Sequence, residues 1–167
     1  MNVTIEDATR ADEPALQNML QLYAHDFSEH WAGTSKGDLQ PDGRFADYPL
    51  GDYWTRPSWS AAIVRCDDCL AGFALVNDRG HSGKPVDRNM AEFFILRKYR
   101  GRGVGRAAAE RIFAMHPGQW EVAVARKNVA ALSFWRTTTS RASQVCELDI
   151  SSAEWNGPIL RFEWVAR

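Results

Sequence analysis

Between Arg100 and Arg106 the chain reads RGRGVGR, three arginines and three glycines in seven residues, and it then runs into the alanine-rich segment AAAERIF. Glycines leave backbone N–H groups unobstructed. At a helix N-terminus those groups lack intrahelical partners and sit at the positive end of the dipole. Gly101, Gly103, Val104 and Gly105 therefore offer donors to an anion, and Arg100, Arg102 and Arg106 add local positive charge. A hydrogen bond from such a donor to a charged oxygen is worth about 1.5 to 3 kcal/mol net, against about 0.3 to 1 kcal/mol for the dipole. The backbone would do most of the holding, and a pyrophosphate suits the run. Two other phosphate cradles fail on the residues themselves. A dinucleotide fingerprint needs a third glycine where Arg106 stands, and no G-K-S or G-K-T triplet precedes the helix. The plainer alternative is a tight turn with solvated arginines, but a single turn needs only one or two glycines.

The elements around this run follow from apolar spacing. NVTIEDAT alternates like a half-buried strand, Asp12 offers an N-cap with Pro14 just inside the first turn, and Leu16, Met19, Leu20, Tyr23 and Phe27 mark one helical stripe. From Ala32 to Asp52 the chain is irregular and rich in glycine and proline, a length of loop that is usually functional or disordered. Residues 58–65 and 70–77 read as a hairpin turned at DD, and MAEFFIL reads as a buried central strand. After the glycine run, Val104, Ala108, Ile112 and Met115 form the stripe of a helix stopped by Pro117 and Gly118. WEVAVA is a strand, NVAALSFWR a helix capped by Asn128, and two strands close the chain near 143–150 and 158–165. This alternation argues an α/β sandwich with a mixed sheet, one domain over residues 1–167.

Composition excludes several classes. With 20 basic and 21 acidic residues the net charge is -1, so no general basic field recommends nucleic acid. The N-terminal MNVTIEDATRADEP lacks a basic-then-apolar leader, and no apolar run approaches a membrane span, so a cytoplasmic protein is expected. Cys66 and Cys69 in CDDC have half the spacing of a zinc site. Cys146, His81 and His116 supply no matching pair, so solvent-facing turn cysteines and no metal are expected.

YRGRGVGRAAAERIF resembles the acyl-CoA-binding motif of the Gcn5-related N-acetyltransferases, an arginine or glutamine, two residues, glycine, one residue, then glycine or alanine. Arg100, Gly103 and Gly105 fill it. Asn128, Ala131, Phe134 and Trp135 resemble the family's second signature, in the expected order and separation. The resemblance implies a mixed, mostly antiparallel sheet of six or seven strands with about four helices, splayed after MAEFFIL to admit a pantetheine arm. It further implies acetyl-CoA as cofactor, with backbone groups of Phe94, Ile95 and Leu96 on the pantetheine, residues 100–106 on the pyrophosphate, and Asn128 with its helix on the other side. The acceptor would be a primary amine of a small molecule or peptide. No nucleic-acid or membrane partner is implied, and a homodimer is left open.

A lysine-like amine is almost wholly protonated at pH 7, and freeing it costs roughly 4 to 5 kcal/mol, which a base must help supply. Glu92, between apolar residues on the strand beside the motif, is the candidate base; a structural carboxylate at the sheet rim is the alternative. Trp135 stands where the family places an acidic tyrosine. An indole N–H cannot deliver a proton, so Trp135 either donates a hydrogen bond to the cofactor site or packs in the core, and an acyl-CoA-binding sensor without turnover stays open. Asp26, Glu29, Asp47 and Asp52, with Trp31, Tyr48, Tyr53 and Trp54, form an acidic and aromatic collection suited to a cationic acceptor.

Overall fold

In the computed structural model, which describes residues 1–34 and 36–165, the elements run β1 (Val3–Asp7), α1 (Glu13–Ser28), β2 (Ser60–Cys66), β3 (Cys69–Asn77), β4 (Arg88–Ile95), α2 (Val104–Met115), β5 (Gly118–Ala123), α3 (Val129–Thr139), β6 (Ser143–Ser151) and β7 (Asn156–Trp164). Short 3-10 turns cover Gly51–Trp54 and Arg97–Tyr99. The strands form a single seven-stranded sheet in the order β1-β2-β3-β4-β5-β7-β6. Every neighbouring pair is antiparallel except β4 with β5. This is the mixed, mostly antiparallel sheet that the motif resemblance implies.

The period of two in the strands divides the core between the faces of the sheet. Ala61, Ile63, Phe73 and Leu75 lie in one cluster with Leu16, Met19 and Leu20 of α1. Their neighbours Ala62, Ala74 and Val76 turn the other way, to Ala109, Ile112 and Phe113 of α2 and Trp135 of α3. Met115, placed on the α2 stripe by spacing, is instead exposed, because the buried face shifts to Ala109 and Phe113 towards the helix end. Asp12 precedes α1 but does not cap it; its carboxylate turns back to accept from the Thr9 N–H and hydroxyl, each at 2.9 Å.

The β2–β3 hairpin turns on Asp67 and Asp68, both with positive φ (48° and 63°), as a tight turn compatible with strand twist requires. Of the two cysteines paired across its end, Cys69 is exposed but Cys66 is buried in the core against Val3 and Val64, so only one of the expected pair faces solvent.

Two irregularities shape the middle of the sheet. Opposite β3, the register jumps from Leu75↔Glu92 to Val76↔Met90, leaving Ala91 as an extra residue in β4. Such a bulge bends a strand and increases its twist. On its other edge β4 pairs with β5 only at Arg88↔Trp120 and Asn89↔Glu121, and beyond these the two parallel strands diverge. Close contact of β4 with β3 is retained at Gly72, where an added Cβ would lie 1.9 Å from the Phe94 carbonyl oxygen. Gly72→Ala should therefore destabilise the fold by about 1 to 3 kcal/mol in a denaturant titration, because the obstruction is backbone and cannot rotate away.

Candidate active site

The divergence of β4 and β5 opens two contiguous cavities of about 570 and 600 Å³. Both are lined by Tyr23, Phe27, Phe93, Asn128 and Trp135. The larger is floored by the glycine run and the start of α3, while the smaller reaches the loop after α1 and the β6–β7 turn.

On the glycine side, Gly101 and Gly103 take positive φ (70° and 82°), a backbone that favours glycine. Gly103 is the N-cap of α2, and no side chain caps that end. The first backbone bond into the helix runs from the Ala107 N–H to the Gly103 carbonyl, which leaves the N–H groups of Val104, Gly105 and Arg106 without a protein acceptor among the described residues. Gly105 serves packing: a Cβ there would meet the Phe134 ring at 3.3 Å. The same spacing thus carries two jobs, open donors and a close helix approach.

The arginines do not share one job. Arg100 turns inward, its Nε donating to the Ile95 carbonyl at 2.6 Å and its Nη2 to Asp26 at 2.5 Å. Arg97 binds the same carboxylate at 2.7 Å. Arg106 pairs with Glu110 one turn on, at 2.9 Å. Arg102 makes no ion pair among the described residues. The positive charge expected from three arginines is therefore largely spent within the protein, and what the run leaves open is the set of backbone donors.

On β4, the Phe94 carbonyl points at β3, and Leu96 uses both its backbone groups internally, its N–H on Ala71 and its carbonyl on Tyr99. By the alternation of a strand, the peptide groups of Phe93 and Ile95 face the split instead. Of the three positions that the resemblance places on the pantetheine, Ile95 turns its backbone groups to the split, its carbonyl accepting from Arg100; Phe93, which the resemblance does not name, turns the same way.

Glu92 lies half-buried at the floor of the smaller cavity. Its Oε2 accepts from the Tyr23 hydroxyl at 2.5 Å and its Oε1 from the Tyr48 hydroxyl at 3.2 Å. No arginine or lysine pairs with it among the described residues. Burial pushes its carboxyl above the ordinary value of 4.5, against the two phenols, which favour the ionised form. Burial and the nearby carboxylate push the Tyr23 and Tyr48 phenols up, Tyr23 well above its ordinary range, so both stay protonated. Tyr48 is held in place from α1. Gln17 bonds the Tyr48 backbone from both ends of its amide (2.8 and 3.2 Å), and Gln21, one turn on, does the same to Phe45 (3.1 and 2.8 Å).

The acidic collection expected around the acceptor comes apart. Partial burial works to raise the Asp26 carboxyl, yet Arg97 and Arg100 together hold it below its ordinary value. Asp47 pairs with Arg44 and Asp52 with Arg56, while Glu29 lines the cofactor-side cavity beside His30. Trp54 bonds Glu13 away from the cavities, and Tyr53 is buried, its phenol pushed up to about 12 by burial first. Trp31 and Tyr48 alone of that group line the smaller cavity. Trp135 is 6% exposed, packed edge-on against Phe93 at 5.1 Å, with its neighbour Phe134 stacked on the same ring at 5.9 Å. Asn128 caps α3, its Oδ1 accepting from the Ala131 N–H at 3.1 Å.

A sequence model of the acetyltransferase (GNAT) family matches residues 16–138, which span α1, the split strands, the glycine run and α3. The chain belongs to this family. Solved structures with the same fold include an acetyltransferase from Thermus thermophilus (16% identical, 98% of each chain covered, TM-score 0.66). The PaiA N-acetyltransferase of Thermoplasma acidophilum, in complex with coenzyme A, is 13% identical over 98% of this chain and 100% of that one, with TM-score 0.63. YncA of Salmonella typhimurium, with its cofactor acetyl-CoA, is 15% identical over 96% and 91%, with TM-score 0.57. No curated protein matches the chain by sequence. Among the described residues no helix is long and apolar enough to cross a membrane.

As a GNAT acetyltransferase the protein uses acetyl-CoA, and the split offers what that molecule demands. Uncapped donors at the start of α2 suit a pyrophosphate, and the unpaired edge of β4 suits an amide-bearing arm. Gly103→Asp would strain a left-handed position and set a carboxylate among those donors. Acetyl-CoA affinity should fall by about 100-fold or more by calorimetry, with the circular dichroism spectrum preserved; unchanged affinity would remove the glycine run from the cofactor site.

Proposed function

We propose that the protein transfers the acetyl group of acetyl-CoA to a primary amine of a small molecule or peptide, with Glu92 as general base. The observation that supports this best is the setting of Glu92: a carboxylate without a cationic partner, raised by burial, oriented by two phenols, in a cavity continuous with the one behind the glycine run. A carboxylate kept only for structure would be expected to neutralise itself on a neighbouring arginine, as Asp26 does.

Acetyl-CoA supplies the acetyl group as a thioester. The N–H groups of Gly101 to Arg106 would hold its pyrophosphate, with Arg102 adding charge, and Phe93 and Ile95 would meet its arm, with Asn128 and Trp135 closing the side towards α3. Glu92 takes the proton of the incoming ammonium, and its raised pKa brings it closer to the amine it must deprotonate. Tyr23, bonded to Glu92 Oε2 and lining both cavities, can hand a proton towards the cofactor side and take that of Glu92 in return. That path assigns to a residue of α1 the proton that Trp135 cannot provide.

Glu92 works as a base only when ionised, so activity should fall as pH drops through its raised pKa, placing the acid limb above 4.5. The same shift means that folding favours the neutral carboxyl, so this group weakens the fold as pH rises through that value. Glu92→Gln should lower kcat at neutral pH by about 100-fold or more with acetyl-CoA affinity unchanged; a full-rate variant would exclude Glu92 as base. In Tyr23→Phe the loss of a hydrogen bond to the ionised carboxylate should move the acid limb to higher pH, and a limb that stays in place would mean that this bond does not tune the base.

A further inference from the structure

The geometry points to an acceptor that is a primary monoamine with one compact apolar or aromatic body, rather than a polyamine or an aminoglycoside. This inference rests on the amine-transfer reading above and names the substrate class of that same site. Charge and wall chemistry carry it from separate residues.

The charge argument begins with what lines the acceptor-side cavity. Among the described residues there, the carboxylates are Glu92 at the floor and Asp38, which is exposed at the loop. Of the other acidic side chains near α1 and its loop, Asp26 is neutralised by Arg97 and Arg100, Asp47 by Arg44 and Asp52 by Arg56, while Glu29 is exposed beside His30 in the neighbouring cavity. One ammonium therefore has a half-buried partner in Glu92. A second ammonium would find only Asp38, exposed at the mouth where solvent screens the pair, and a third would be desolvated against aromatic carbon without a counter-charge.

The walls supply the complementary requirement. Along α1 and the turn after it, Tyr23, Phe27 and Trp31 form a continuous aromatic ladder, with centroids 5.6 Å apart in the first pair and 5.1 Å in the second. Trp31 packs directly on Gly37, whose missing side chain leaves room for the indole: a Cβ would fall 2.1 Å from Trp31 Cε3. A second wall comes from elements distant in sequence, where His81 and Trp155 stack at 4.6 Å. The His81 loop is itself fixed, because the N–H of Ser82 and its hydroxyl bond to the buried Glu121 carboxylate at 3.0 and 2.6 Å, and Arg161 closes on the same carboxylate at 2.8 Å. Two flat surfaces favour a flat or compact apolar body, whose burial and stacking supply the binding.

The test uses the full-length enzyme with acetyl-CoA and follows CoA release with phenethylamine, hexylamine, spermidine and kanamycin. We expect kcat/KM for phenethylamine or hexylamine to exceed that for spermidine and kanamycin by about tenfold or more. Trp31→Ala, and independently Trp155→Leu, should raise KM for the favoured monoamine about tenfold while leaving kcat and the acetyl-CoA Kd near their starting values. A preference for spermidine or kanamycin would overturn this inference and leave the amine-transfer reading intact, as would an unchanged KM in both variants. Acetyl-CoA binding without acceptor-dependent release from any amine would overturn the amine-transfer reading and this inference with it.

Discussion

The structure depends on a failure of pairing. β4 and β5 share two register pairs and then separate, although both are central strands of one sheet. Unpaired backbone in the middle of a sheet is costly unless something else satisfies it, so the separation has to be held open by the rest of the molecule. The bulge at Ala91 turns β4 away, Gly72 lets β3 follow it at backbone contact, and α2 and α3 bridge the gap through Phe134 against Gly105 and Trp135 against Phe93. What the strands lose in mutual hydrogen bonds becomes a groove with an exposed strand edge on one side and helix N-termini nearby.

Glu121 marks the point where the strands part. It pairs with Asn89 in register and its carboxylate is fully buried, an arrangement tolerable only because Arg161, Ser82 and the backbone of His81 surround it. The side chain at the crotch of the split therefore also pins the β3–β4 loop over the smaller cavity. The split and the His81–Trp155 wall share one anchor, so a disturbance at Glu121 would be felt on both sides.

Much of this was legible in the residues, and the pattern of what was not has a physical basis. Strands, helices and the glycine run could be read because periodicity and positive-φ glycines are local properties. Glu92 could be nominated because a lone carboxylate in EFFIL is conspicuous among apolar neighbours. The fates of Arg100, Arg106 and Asp26 could not be read, since spacing does not say which way a long charged side chain turns, and Arg100 finds Asp26 across 74 residues. Tyr23 was visible only as one apolar position on a helical stripe, and its hydroxyl acquires meaning through a partner 69 residues away. Gln17 and Gln21 had no signal at all: two polar residues one turn apart on a helix are usually solvated.

Those two glutamines carry a consequence for how the site could diversify. Each holds the loop through its backbone, at Phe45 and Tyr48, so the attachment does not depend on which side chains the loop displays. The stretch between Gly33 and Arg44 could change in sequence while Tyr48 still reached Glu92. Under the proposed mechanism, proton chemistry and acceptor choice are in this sense separable: a new cavity mouth could be tried without disturbing the Glu92 carboxylate beneath it.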